Sequence, residues 1–71
     1  MLRADDVADL SRSEWTRVIV EHIHDELWRR IFKRRWLDGV KLEPLAEEFD
    51  LSTRQVQRIV RTCERRIINH I

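Results

Sequence analysis

Between Leu42 and Arg61 the chain reads LEPLAEEFDLSTRQVQRIVR, and this stretch restricts the fold more than any other. Apolar or small residues at Leu45, Ala46, Phe49, Leu51, Val56 and Ile59 recur at helical spacing around a break at Asp50-Leu51-Ser52. That spacing predicts two helices packed across a tight turn over one shared core. Ser52 stands where the second helix begins. Its hydroxyl can accept from exposed backbone N–H groups, and Gln55 three residues on completes a capping box. The second helix turns Val56, Ile59 and Val60 inward and leaves Thr53, Arg54, Gln55, Gln57, Arg58 and Arg61 outward. Side chains of these types hydrogen-bond base edges and phosphates. The pattern therefore predicts a DNA-binding helix-turn-helix with its core at residues 42–61.

Seventy-one residues make one domain spanning 1–71, with a core too small for much irregularity. The chain is 42% hydrophobic and 38% charged, with one Gly and one Pro. Such a composition favours helices on short connections over hairpins. The expected fold is all-α, a compact bundle of four to five helices. No apolar run is long enough to span a bilayer and no signal-peptide pattern opens the chain. One cysteine, Cys63, forms no intramolecular disulfide, which fits a reducing compartment. A soluble, cytoplasmic protein is expected, without a membrane partner.

Net charge is only +1, but its distribution is uneven. Residues 1–27 hold three basic and seven acidic side chains, residues 28–71 eleven and six. The basic half contains the predicted helix pair, as a phosphate-facing surface requires. The small net charge implies binding that is weak and sensitive to salt.

Ahead of the pair, residues 1–10 (MLRADDVADL) fit a short helix or an arm. Ser11 with Glu14 offers a capping box, and Ser13 a simple cap. Trp15, Val18, Ile19, His22 and Ile23 then form an apolar stripe. No Gly or Pro interrupts residues 14–38, which leaves one long helix open. A second stripe of Leu27, Trp28, Ile31, Phe32 and Trp36 is out of phase with the first, which favours a break near His24-Asp25 with Asp25 at the new N-terminus. This second helix is expected to end at Asp38-Gly39 in a left-handed glycine. Pro44 falls in the first turn of the next helix, where its missing N–H costs nothing. Asp50 must take the turn conformation, which Asp tolerates less well than Gly. The last helix can run to Asn69. Ile67, Ile68 and Ile71 at its end need cover from the N-terminal helix or from another chain, so a homodimer through them is expected as one solution.

From Ile31 onward the chain resembles region four of bacterial sigma factors, and the short sigma-like proteins of phage and mobile elements. The resemblance rests on Ile31-Phe32, Arg35-Trp36, Asp38-Gly39, Leu45-Ala46-Glu47-Glu48-Phe49, Leu51-Ser52, Val56 and Ile59. It covers roughly half the chain and extends beyond the bare helix pair. Asp50 stands where that family usually has glycine, Arg34 where an apolar residue is common, and Pro44 where an acidic one is frequent. The resemblance implies double-stranded DNA as ligand and RNA polymerase as a partner. It places Thr53, Arg54, Gln55, Gln57, Arg58 and Arg61 against the major groove, with Arg54 and Arg58 on guanine or phosphate and Gln55 and Gln57 on adenine. Phosphate contacts would come from Ser52, Lys41, Arg29, Arg30, Lys33, Arg34 and Arg35. Nothing in the chain resembles region two, which melts the promoter, so transcription would not start through this chain alone.

Other chemistry has little basis in the sequence. His22 and His24 fall on different sides of a helix, and no carboxylate or cysteine stands at metal-site spacing to them. Cys63 has no base positioned to activate it, no glycine-rich phosphate loop occurs, and neither an enzyme nor a cofactor is expected. Trp15, Trp28 and Trp36 are expected in the core, with one of them able to serve instead as an anchor for a protein partner. A helical interaction module that binds RNA polymerase or another regulatory chain without reading bases is the competing functional reading.

Overall fold

The computed structural model describes residues 10–69. Those residues form four helices and no strands: α1 (Arg12–His22), α2 (Glu26–Trp36), α3 (Leu42–Glu48) and α4 (Thr53–Ile68). The Cα radius of gyration is 11.3 Å, against about 11 Å expected for a folded chain of this length. The expected N-terminal helix or arm lies outside the described residues, apart from Leu10, which packs against the core.

Each helix starts on a side chain or connection that its sequence supplies. Ser11 caps α1 and exchanges both capping-box hydrogen bonds with Glu14. The break between α1 and α2 forms without Gly or Pro. Ile23 turns extended, and the Asp25 carboxylate accepts from the Trp28 N–H at 3.1 Å to begin α2. Arg29 closes the gap from the other side. Its guanidinium donates to the carbonyl of Val20 at 2.9 Å and to that of Ile23, supplying positive charge and donors to the C-terminal end of α1. The residues 14–38 are thus two helices rather than one.

Helix α2 ends at Trp36, two residues before the expected stop. The left-handed glycine is where the sequence put it: Gly39 has φ +70°, and the Val40 N–H returns to the Arg34 carbonyl at 3.1 Å. Helix α3 stops in a Schellman motif. The Leu51 N–H donates to the Ala46 carbonyl at 2.9 Å and the Asp50 N–H to the Glu47 carbonyl at 3.3 Å. Asp50 occupies the left-handed position of this motif with φ 55°, the one non-glycine residue with positive φ among those described. The turn runs directly into the next cap, because Ser52 starts α4 with a complete capping box to Gln55.

Helix α4 packs against each of the other three helices and forms the spine of the core. Its buried face is Val56, Ile59, Val60, Cys63 and Ile67. Trp15, Ile19, Ile23, Ile31, Phe32, Trp36, Leu45 and Ala46 complete the cluster, and no polar or charged residue is buried in it. Trp15 meets Trp36 edge-to-face with centroids 5.4 Å apart, and Phe32 stacks on Trp36 at 5.1 Å. Such ring pairs add about 0.5–1.5 kcal/mol beyond their area burial. The indole N–H groups of Trp15 and Trp36 are buried without a partner, a cost of about 1–3 kcal/mol each that the ring packing must offset. Trp28 is only half-buried, with the Arg66 guanidinium 5.7 Å above its ring.

Of the two sources of cover open to Ile67, its own chain supplies it: the side chain is fully buried and offers no surface for a homodimer contact. Ile68, one residue on, is 39% exposed, and Ile71 lies outside the described residues.

Candidate nucleic-acid interface

The six residues expected to read bases all lie on the first three turns of α4, away from the core. Thr53, Arg54, Gln55, Arg58 and Arg61 are exposed, whereas Gln57 is half-buried. Helical rotation of about 100° per residue places Arg54, Arg58 and Arg61 on one narrow stripe. Arg65, exposed and four residues beyond Arg61, continues it. The stripe therefore has four arginines within about 60° of arc and about 16 Å of helix length. It sits diametrically opposite Val56, Cys63 and Ile67. Arg65 lies beyond the 42–61 helix pair to which the expected surface was confined, although the spacing 54, 58, 61, 65 already places it on the stripe.

Among the described residues, no guanidinium of these four arginines donates a hydrogen bond or forms an ion pair. Each keeps all five of its guanidinium donors for solvent or a ligand. Their nearest influence on another titratable group is at Glu64, whose carboxyl burial pushes up while Arg35 and Arg61 pull it back. The hydroxyl of Thr62, beside the stripe, donates to the Arg58 carbonyl at 2.9 Å and so is turned onto its own helix.

Gln55 is differently placed from the arginines. Its side-chain carbonyl accepts from the Ser52 N–H at 2.9 Å and from the Ser52 hydroxyl at 3.1 Å. The Gln55 N–H donates back to that hydroxyl at 3.1 Å. Both partners of the box are thus held by each other, and the Ser52 hydroxyl expected on a phosphate is occupied in the cap.

The basic run of α2 does not form one face. Arg29 directs its donors to the end of α1, and Arg35 donates to the Val40 carbonyl at 3.1 Å. Arg34 forks onto Glu48, with Nε 2.9 Å and Nη2 2.7 Å from the two carboxylate oxygens, and reaches Asp38 at 3.1 Å. Arg12 binds the other oxygen of Asp38 at 2.6 Å. This chain of four charges joins the start of α1, the end of α2 and the end of α3. It holds the Asp38 and Glu48 carboxyls below the usual carboxylate range: Arg12 and then Arg34 act on Asp38, and Arg34 on Glu48. The Arg34 guanidinium is raised in turn, first by Glu48 and then by Asp38. Arg30 lies over the Phe49 ring at 5.6 Å and remains exposed. Lys33 is half-buried, and Lys41 is exposed at the N-cap of α3, where its side chain makes no capping bond. Of the seven expected phosphate contacts, Lys41, Arg30 and Lys33 are the cations whose charged groups make neither an ion pair nor a hydrogen bond among the described residues, whereas Arg29 and Arg35 direct donors to backbone carbonyls and Arg34 to carboxylates.

Cys63 faces the core, where burial pushes its thiol up to about 12, and it is not activated as a nucleophile. No group of three or more His, Cys, Asp or Glu side chains among the described residues is placed to hold a metal ion. No described helix is long and apolar enough to cross a membrane. Compared with protein families, with characterised proteins and with solved structures, the chain matches none.

Proposed function

We propose that the chain binds double-stranded DNA sequence-specifically and acts in transcription regulation, with α3, the Phe49–Ser52 turn and α4 as a helix-turn-helix like that of sigma region four. The observation that carries this reading is the stripe of Arg54, Arg58, Arg61 and Arg65, free of internal partners and opposite the buried face of α4. A solvated helix in a chain of net charge +1 would more often pair its arginines with carboxylates at i,i+4, as Arg34 does with Asp38. Here no acidic residue shares the stripe. The hydrogen-bonded Schellman turn and the capping box fix α4 rigidly relative to α3, which favours a surface that must match a groove.

The test is the salt dependence of duplex binding, followed by fluorescence anisotropy. Each phosphate neutralised contributes about −0.9 to the log–log slope, so four phosphate contacts correspond to about −3.6, a loss of roughly 100-fold between 50 and 200 mM salt. Absence of binding to a random duplex pool at 50 mM salt would defeat the reading.

The second reading is a module that binds RNA polymerase or another regulatory chain without reading bases. It is favoured by the exposed Val20, Leu27 and Ile68, at 41%, 42% and 39%, together with half-buried Trp28. An apolar protein contact of this kind would barely respond to salt.

A further inference from the structure

We infer that the exposed face of α4 selects duplexes through guanine rather than adenine; this rests on reading that face as a DNA-binding surface. Bidentate recognition of adenine in the major groove needs one donor and one acceptor from a single amide, to meet N7 and the N6 amino group. Gln55 cannot supply the acceptor while α4 is capped. Its Oε1 is the oxygen held by the Ser52 N–H at 2.9 Å and the Ser52 hydroxyl at 3.1 Å. A backbone N–H only donates, so the amide orientation is fixed, and what points outward is the NH2 group alone.

The neighbouring side chains have the same polarity. Arg54 and Arg58 are donor forks with no internal partner, and Gln55 adds two more donor hydrogens on the same turn. Guanine is the base whose major-groove edge offers two acceptors, N7 and O6. Adenine and cytosine each present an amino donor there, which would meet donors. Gln57 keeps a complete amide, but it is half-buried at the margin of the stripe, where its reach is shorter than that of the arginines.

The experiment uses the full chain and has two stages. Selection from a random duplex pool at fixed salt is expected to enrich sites containing guanine. Replacing those guanines by 7-deazaguanine keeps base pairing and charge but removes the N7 acceptor, and is expected to weaken binding about tenfold for each guanine held by a fork. Arg58→Met removes every donor at this position but keeps the aliphatic stem, so it should lose the sensitivity to 7-deazaguanine at one position and keep it at the others. Enrichment of sites made only of A·T pairs, or equal binding of guanine and 7-deazaguanine duplexes with a steep salt response, overturns the inference and leaves DNA binding standing. Binding of no duplex at low salt overturns both. Competition by polyglutamate as effective as that of the selected duplex overturns the inference too, and marks an acidic protein surface as the ligand.

Discussion

Ile67 and Ile68 are adjacent, chemically identical and oppositely placed, so changing each to alanine separates burial from composition. Ile→Ala removes three carbons, about 2.4 kcal/mol of transfer free energy for a fully buried side chain at roughly 0.8 per carbon. Ile67 has no exposed surface, so the whole amount applies. The closed cavity left behind adds roughly 1 kcal/mol, and the better helix propensity of alanine returns about 0.4. Ile67→Ala is therefore expected to cost about 3 kcal/mol. Ile68 is 39% exposed, so the transfer loss falls to about 1.5 kcal/mol, no closed cavity forms, and the same propensity gain leaves about 1. A domain of this length has roughly 4–10 kcal/mol of stability in total, which makes the first change severe and the second mild. Urea unfolding followed by far-UV circular dichroism measures both, with the wild type run at several protein concentrations. A cost under about 1 kcal/mol for Ile67→Ala would refute the reasoning. So would a wild-type midpoint that rises with concentration and is lost in that variant, because then Ile67 would be covered by a second copy.

Three further outcomes follow from local geometry. Asp50→Gly removes a Cβ from the left-handed position of a Schellman turn and should stabilise the protein by about 0.5 kcal/mol, whereas Asp50→Ala should destabilise it by about 1; thermal unfolding of the pair checks the sign. The Asp38 and Glu48 carboxyls are lowered by their arginine partners, so their contribution is present above the unfolded carboxylate range near ~4 and fades as pH falls through the lower folded values; urea midpoints at pH 5 and pH 3 should converge in Arg34→Met relative to wild type. Cys63, buried with its thiol pushed up to about 12, should react with a thiol reagent at neutral pH only as fast as the domain opens, so a rate independent of denaturant would count against its placement.

Features set by two or three neighbouring residues were legible in the sequence. Ser52 with Gln55, Ser11 with Glu14, the left-handed Asp50 and Gly39, and the break at Asp25 are all local hydrogen-bond arrangements with their own residue signatures. What escaped depends on contacts between elements. Nothing in the neighbourhood of Arg29 says that it closes the end of α1, nor does Arg34 reveal its fork onto Glu48 fourteen residues away. The charge run of α2 was thus legible as composition but not as wiring. The periodicity showed that Ile67 needs cover, but whether its own chain or another supplies it depends on how α4 packs against the other helices. The arginine stripe of α4 could be drawn from periodicity alone, but its extension to Arg65, the half-burial of Gln57 and the consequence of the cap for the Gln55 acceptor were not anticipated.

Helix α4 is at once the member that touches every other helix and the member that carries the arginine stripe on its outer side. Mutational sensitivity along it should therefore read as two interleaved combs. The teeth at Val56, Ile59, Val60, Cys63 and Ile67 remove the fold and, with it, any activity. Those at Arg54, Arg58, Arg61 and Arg65 leave a folded domain with an altered surface. Among the described residues one helix is both the packing spine and the bearer of the arginine stripe, so adjacent positions such as 58 and 59 divide the two fates between them.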